Sequence, residues 1–196
     1  MTLWYLIRSL GFVALLALTL STVLGALSTS GAATPEGIDR RLLRQLTHRS
    51  FGVLGLVALA LHIVLAVVDK YVAVPLTAAV LPFGSGYRPV AMAVGVLGLY
   101  ALIVTTVSGA LRGSATSSDA AVRGWRVVHA SAYLGWVLSM AHGLFSGSDT
   151  ATWWGIAAYL GCGAGVLVAL IVRLRVRPRR VPDVRGHLRL DPGALR

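Results

Sequence analysis

The sequence predicts an all-α membrane protein, a five-helix transmembrane bundle with its N-terminus outside and its C-terminus in the cytoplasm. Three observations carry this expectation. Of 196 residues, 56% are hydrophobic and only 13% are charged, whereas a soluble domain carries roughly a quarter charged residues. The apolar residues fall into five runs, each near the ~20 residues that cross a ~30 Å hydrocarbon core. Lys and Arg gather in alternate breaks between those runs.

The first run covers residues 3–27. Its apolar stretch is long, Arg8 is the only charge near its start, and translocating its C-terminal flank would put four Arg outside, which argues for a membrane span over a cleavable signal peptide. The break after it holds Ser28 to Gly31 and Pro35. From Pro35 to Gln45 the pattern is that of a short basic amphipathic helix on the inner surface, with Thr34 as its N-cap and Arg40, Arg41 and Arg44 on the polar side. The second run covers 49–69. Pro75, Pro82 and Gly84-Ser85-Gly86 then mark a loop before the third run, 90–111. The Gly113 to Ser118 stretch separates it from the fourth run, 127–146, and Ser146 to Asp149 from the fifth, 153–172. Trp4, Tyr5, Tyr71, Tyr87, Trp125, Trp153 and Trp154 lie near run ends, where an aromatic belt is expected. Residues 173–196 form a basic, Arg- and Pro-rich tail, expected to be cytoplasmic and disordered or laid on lipid.

Orientation follows from the charges. Arg40, Arg41, Arg44 and Arg49 lie in the first break, Arg112, Arg123 and Arg126 in the third, and eight Arg in the tail. Only Arg8, Lys70 and Arg88 remain for the other side. The positive-inside rule then sets the C-terminus in the cytoplasm. The net charge of +11 is thereby a topology signal, and no nucleic-acid partner is implied. Seventeen of the 18 basic residues are Arg, a bias of high-GC coding that points to a bacterial cell membrane. Cys162 is the single cysteine, so no intrachain disulfide and no thiolate cluster can form. The breaks leave no run long enough to fold a soluble nucleotide- or flavin-binding domain.

Histidine carries the functional signal. His48 and His62 bracket the second run, and His129 and His142 bracket the fourth. His187 lies in the tail and reads as a solvated side chain. Ionisable groups within a bilayer are costly and point to function, although any one of these imidazoles could simply brace a neighbouring helix. Separations of 14 and 13 residues correspond to about 21 and 20 Å of helix. On two spans that run in the same direction, His48 therefore shares a level with His129, and His62 shares one with His142. Each pair can grip a flat macrocycle, since neutral imidazole is a standard axial ligand of heme iron. Zinc or copper suits the pattern less well, because each level offers only two nitrogen ligands. The helical phase is not uniform: His48 and His62 face nearly the same way, whereas 13 residues leave His129 and His142 about 140° apart on an ideal helix. The fourth run should therefore be over- or underwound near Gly135 or Gly124, or carry His129 in an irregular first turn. Arg49 and Arg126 sit beside the inner level, available to heme propionates or to lipid headgroups. Gly52, Gly55 and Gly143 fit either room for a ring or helix packing by small residues, and packing is expected of Gly161 and Gly165.

His48-Arg49 with His62, Trp125-Arg126-Val127-Val128-His129 with Tyr133, His142-Gly143 and the Thr105-Thr106-Val107-Ser108 stretch together resemble the ferric reductase-like transmembrane domain. That family includes ferric-chelate reductases, NADPH oxidases and the heme-binding membrane subunit of bacterial methionine-sulfoxide reductase systems. The resemblance spans residues 1–172. It implies that His48, His62, His129 and His142 are axial ligands of two b-type hemes, paired His48 with His129 and His62 with His142. It also implies electron transfer from a cytoplasmic reductant to an extracytoplasmic acceptor. The oxidases and iron reductases continue into a flavin- and NADPH-binding domain that these 196 residues lack, so the donor is expected to be a separate flavin reductase or quinone. The acceptor is expected to be a ferric chelate or a redox protein. The family's usual six spans appear here as five. Ala66 occupies the place, one turn beyond the second ligand, where the oxidases carry a further His, which argues against superoxide production. The competing expectation is a non-redox scaffold or small transporter with structural histidines. A third is an enzyme with its own chemistry at the outer face.

Overall fold

The computed structural model describes residues 2–28, 35–70, 74–116 and 118–175. Among them every regular element is helical: α1 (Thr2–Leu27), α2 (Pro35–Val68), α3 (Leu76–Val80), α4 (Pro89–Ala110), a 3₁₀ turn (Leu111–Thr116), α5 (Asp119–His129), α6 (Ser131–Ser146) and α7 (Trp153–Arg175). Thr34, Tyr71 and the tail from residue 176, with His187, lie outside the described residues. The fifth run extends three residues beyond its expected end, to Arg175.

Four helices are long and apolar enough to cross a membrane: Leu3–Leu27, Gly37–Val68, Pro89–Gly113 and Trp153–Arg175. Apolar side chains such as Val53 and Val57 on α2 and Leu160 and Leu167 on α7 are exposed, as a surface bathed in lipid requires. By length and composition this is a multi-pass membrane protein.

Two expectations are corrected. The basic segment from Pro35 is not a separate surface helix. It is the first part of α2, whose 34 residues measure about 51 Å, so it stands beyond the hydrocarbon thickness as a continuation of the span. The run at 127–146 is not one helix. It is interrupted at Ala130, and the 16 residues of α6 measure only about 24 Å. The Ala130 N–H bonds to the Arg126 and Val127 carbonyls (3.0 and 3.2 Å), and the Ala130 carbonyl accepts from the Tyr133 N–H (3.1 Å). These short-loop bonds tighten the backbone and end α5. Ser118 caps the start of α5 by accepting from the Ala121 N–H (3.1 Å), with Asp119 in the first turn.

The helices pair as hairpins. α2 packs along α1, and α6 along α4; α1 also contacts α6 and α7. Lipid is as apolar as a side chain, so association in a bilayer relies on close packing. Small residues supply it. A Cβ on Gly55 would lie 2.8 Å from Leu18, and one on Gly135 3.0 Å from Leu102. Between α1, α6 and α7 sits a core of Leu15, Trp136, Tyr159, Cys162 and Val166, edged by Phe12 and Met140. The Trp136 indole donates to Thr19 Oγ1 (2.8 Å), and Thr19 donates to the Leu15 carbonyl (2.7 Å). α1 and α7 run in the same direction: Phe12 meets Trp154 and Tyr159 at one end, and Gly165 meets Val23 toward the other. α2 makes no extended contact with α4, α5 or α6, so its histidine-bearing side faces those helices across a gap.

Candidate functional site

His48, His62, His129 and His142 border that gap, and all four are held by one device. Each imidazole lies against a glycine of the partner helix. A Cβ on Gly11 would be 3.2 Å from the His62 ring, on Gly25 3.1 Å from His48, on Gly95 2.6 Å from His142 and on Gly109 3.3 Å from His129. In three cases Nδ1–H donates to the carbonyl four residues before that glycine: His62 to Ile7 (2.8 Å), His48 to Ser21 (2.8 Å) and His142 to Ala91 (2.8 Å). The reason is local. A helix carbonyl already accepts from the N–H four residues on, and a second donor must pass the Cβ position of that same residue. Glycine there opens the path.

His129 uses a variant of the device. Its Nδ1 is 3.0 Å from Ser108 Oγ, and the Ser108 hydroxyl donates to the Thr105 carbonyl (2.7 Å). With that proton committed, Nδ1 is the donor and Ser108 the acceptor. Thr105 lies four residues before Gly109, so the pattern is preserved through one hydroxyl. The Thr105–Ser108 stretch also holds the helix break, through Thr105 Oγ1 and Ser131 Oγ at 2.8 Å.

Fixing Nδ1 as the donor leaves Nε2 with its lone pair free on each ring, the tautomer a metal-ligating imidazole needs. The nearest competitor is Ser146 Oγ, 3.4 Å from His142 Nε2, and the Ser146 proton already goes to the His142 carbonyl (2.5 Å).

The ring centres of His48 and His129 are 6.4 Å apart, with planes at 72°. His62 and His142 line one cavity of about 230 Å³ between α1, α2, α4 and α6, with Gly11, Gly95, Leu59 and Leu99. Among the described residues no three His, Cys, Asp or Glu side chains cluster, so each level offers two imidazoles and no further protein ligand.

The cavity is closed at one end by an ion pair. Arg8 on α1 bonds to Asp149 in the α6–α7 loop, its Nε donating to Oδ2 at 2.5 Å. Arg8 also lies 5.7 Å from the Tyr5 ring. At the opposite, basic end, Arg49 and Arg126 are exposed.

Of the two readings of Gly52, Gly55 and Gly143, the contacts support packing. Gly52 and Gly55 face Ser21 and Leu18 of α1, and Gly143 faces the Tyr159 hydroxyl; all three serve helix packing. A Cβ on Gly161 would meet nothing within 4 Å, and one on Gly165 only Val23 at 3.8 Å. The glycines against the rings are Gly11, Gly25, Gly95 and Gly109. Their signal was present, since both pairs are 14 residues apart, the same interval as His48 and His62. Neither Gly135 nor Gly124 absorbs the 13-residue interval; the break at Ala130 does, and both rings reach α4.

No family model, curated protein or solved structure matches this chain.

Proposed function

We propose that the chain is a b-type diheme membrane cytochrome of the ferric reductase-like kind, set in a bacterial plasma membrane. It carries electrons from a cytoplasmic or quinone donor to an extracytoplasmic acceptor, either a ferric chelate or a partner oxidoreductase. In this reading α6 completes a fifth crossing, with the N-terminus outside and the basic end in the cytoplasm. The observation that supports the reading is the His48–His129 pair: two Nδ1-tethered imidazoles from different helices with ring centres 6.4 Å apart.

The residues fit the group. His48 and His129 would hold the inner heme, and His62 and His142 the outer. Bound there, heme iron supplies reversible one-electron transfer. The carbonyls and glycines of α1 and α4 hold each imidazole in the ligating tautomer and orientation. The apolar walls exclude water, which disfavours a net charge in the site and so tunes the potential. Arg49 and Arg126 offer cations to inner propionates. Fourteen residues of α2 separate the two levels by about 21 Å, most of the bilayer thickness.

The test is the absorption spectrum of protein purified from heme-supplied cells. Sharp reduced-minus-oxidised bands and two hemes per chain are expected. A protein that takes up no heme under those conditions overturns the reading and leaves a membrane scaffold or small transporter whose histidines brace helices. Reporter fusions after Arg175 and within the α6–α7 loop should report opposite sides of the membrane. After chemical reduction, reoxidation by ferric citrate indicates a chelate acceptor, and no reoxidation indicates a protein.

A further inference from the structure

We infer that Trp125 is a positioning residue that sets the plane of the His129 ring, and thereby the angle between the two axial imidazoles of the inner pair; this rests on the reading of His48 and His129 as ligands of one heme. His48, His62 and His142 are fixed from within long helices. His129 is the last residue of α5, immediately before the break at Ala130, and α5 has no buried residue. Its backbone is therefore the least constrained of the four. The side chain is instead fixed by an aromatic partner one turn back on the same face. The Trp125 and His129 rings are stacked, with centres 5.1 Å apart and planes 17° from parallel.

Trp125 is itself anchored. Its Nε1–H donates to the Ser108 carbonyl (2.8 Å), and the Arg112 guanidinium lies 5.0 Å from its ring centre. The same Ser108 accepts the His129 Nδ1 proton through its hydroxyl. One residue of α4 therefore ties both rings, and the indole face adds the constraint that a single hydrogen bond lacks, rotation of the imidazole about its Nδ1–Oγ line. The resulting plane is 72° from that of His48. No aromatic ring contact to His62 or His142 occurs among the described residues, so the outer pair provides an internal control.

The angle has a direct observable. In a low-spin ferric centre with two imidazoles, the spread of the electron paramagnetic resonance g-values depends on the angle between the ring planes, and crossed planes give the largest gmax. The experiment compares full-length wild type with Trp125→Phe, which keeps an aromatic face, and Trp125→Leu, which keeps apolar volume without one. The readouts are heme per chain, ferric electron paramagnetic resonance spectra and the midpoint potentials of both centres. The expected result is an inner gmax displaced beyond its linewidth in Trp125→Leu, with Trp125→Phe near wild type and the outer signal unchanged in both. Wild-type spectra in both variants, or equal displacement in both, overturns the positioning role. Displacement of the outer signal along with the inner also overturns it, because the effect is then general to the fold. Absence of heme from the wild type overturns the functional reading itself and is separable from every variant result.

Discussion

Gly95 approaches His142 so closely that a Cβ there would lie 2.6 Å from Nδ1, inside any tolerable contact. His142 cannot keep its bond to the Ala91 carbonyl with a side chain at position 95. Gly95→Ala should therefore turn the imidazole away and, on the proposed reading, weaken heme binding at the His62–His142 level by the 10–100-fold typical when a ligand's supporting contact is lost. At Gly109 the corresponding distance to His129 is 3.3 Å, a contact that a small shift relieves. Gly109→Ala should keep the inner heme with a modest loss of affinity. Heme titration of both variants checks the ranking, and equal retention would remove the supporting role given to the glycine.

On the proposed reading the four histidines act as two couples. His62→Ala and His142→Ala should each reduce heme content from two to about one and delete the same spectral component. His48→Ala and His129→Ala should delete the other. Potentiometric titration monitored by absorption separates the components. If His48→Ala leaves heme content and spectrum intact, the inner pairing is wrong.

The histidine levels were legible in the sequence because helical rise converts residue count into depth regardless of packing. Azimuth was less legible. It depends on where a helix breaks, and no Gly or Pro marks Ala130; the interruption is held from outside, by Thr105 on Ser131 and Ser108 on His129. The supporting glycines were hidden for a related reason. A glycine beside a histidine in sequence looks relevant, yet the one that matters lies across the hairpin, and only the shared 14-residue interval links them. The long α2 was misjudged because its polar first turns resemble an interfacial helix; nothing in the composition marks a boundary before His48.

The break at Ala130 makes a sharp prediction. One alanine inserted after Ala130 rotates α5 against α6 by about 100°. α6 is anchored, with Trp136 bonded to Thr19 and Ser139 packed on Gly98, whereas no residue of α5 is fully buried. The rotation should therefore fall on α5, carrying His129 off its partner while His142 stays. The expected protein retains the outer heme and loses the inner one. Retention of both hemes would show that the interval across the break is not what sets the phase.

The Arg8–Asp149 pair ties the first turns of α1 to the α6–α7 loop at the mouth of the cavity. Its side chains are 24% and 10% exposed, so both charges are largely withdrawn from water. Such a pair contributes little relative to an apolar replacement, but its rupture strands a charge. Arg8→Leu alone leaves the Asp149 carboxylate without its cation and should lower stability by on the order of 2 kcal/mol, below the range for fully buried pairs because some solvent reaches the site. The double variant Arg8→Leu with Asp149→Leu should recover most of that loss. Thermal melts of the four proteins in detergent give the coupling energy directly. A double variant as unstable as the sum of the singles would mean that the two side chains act separately and that the contact does not close that end of the bundle.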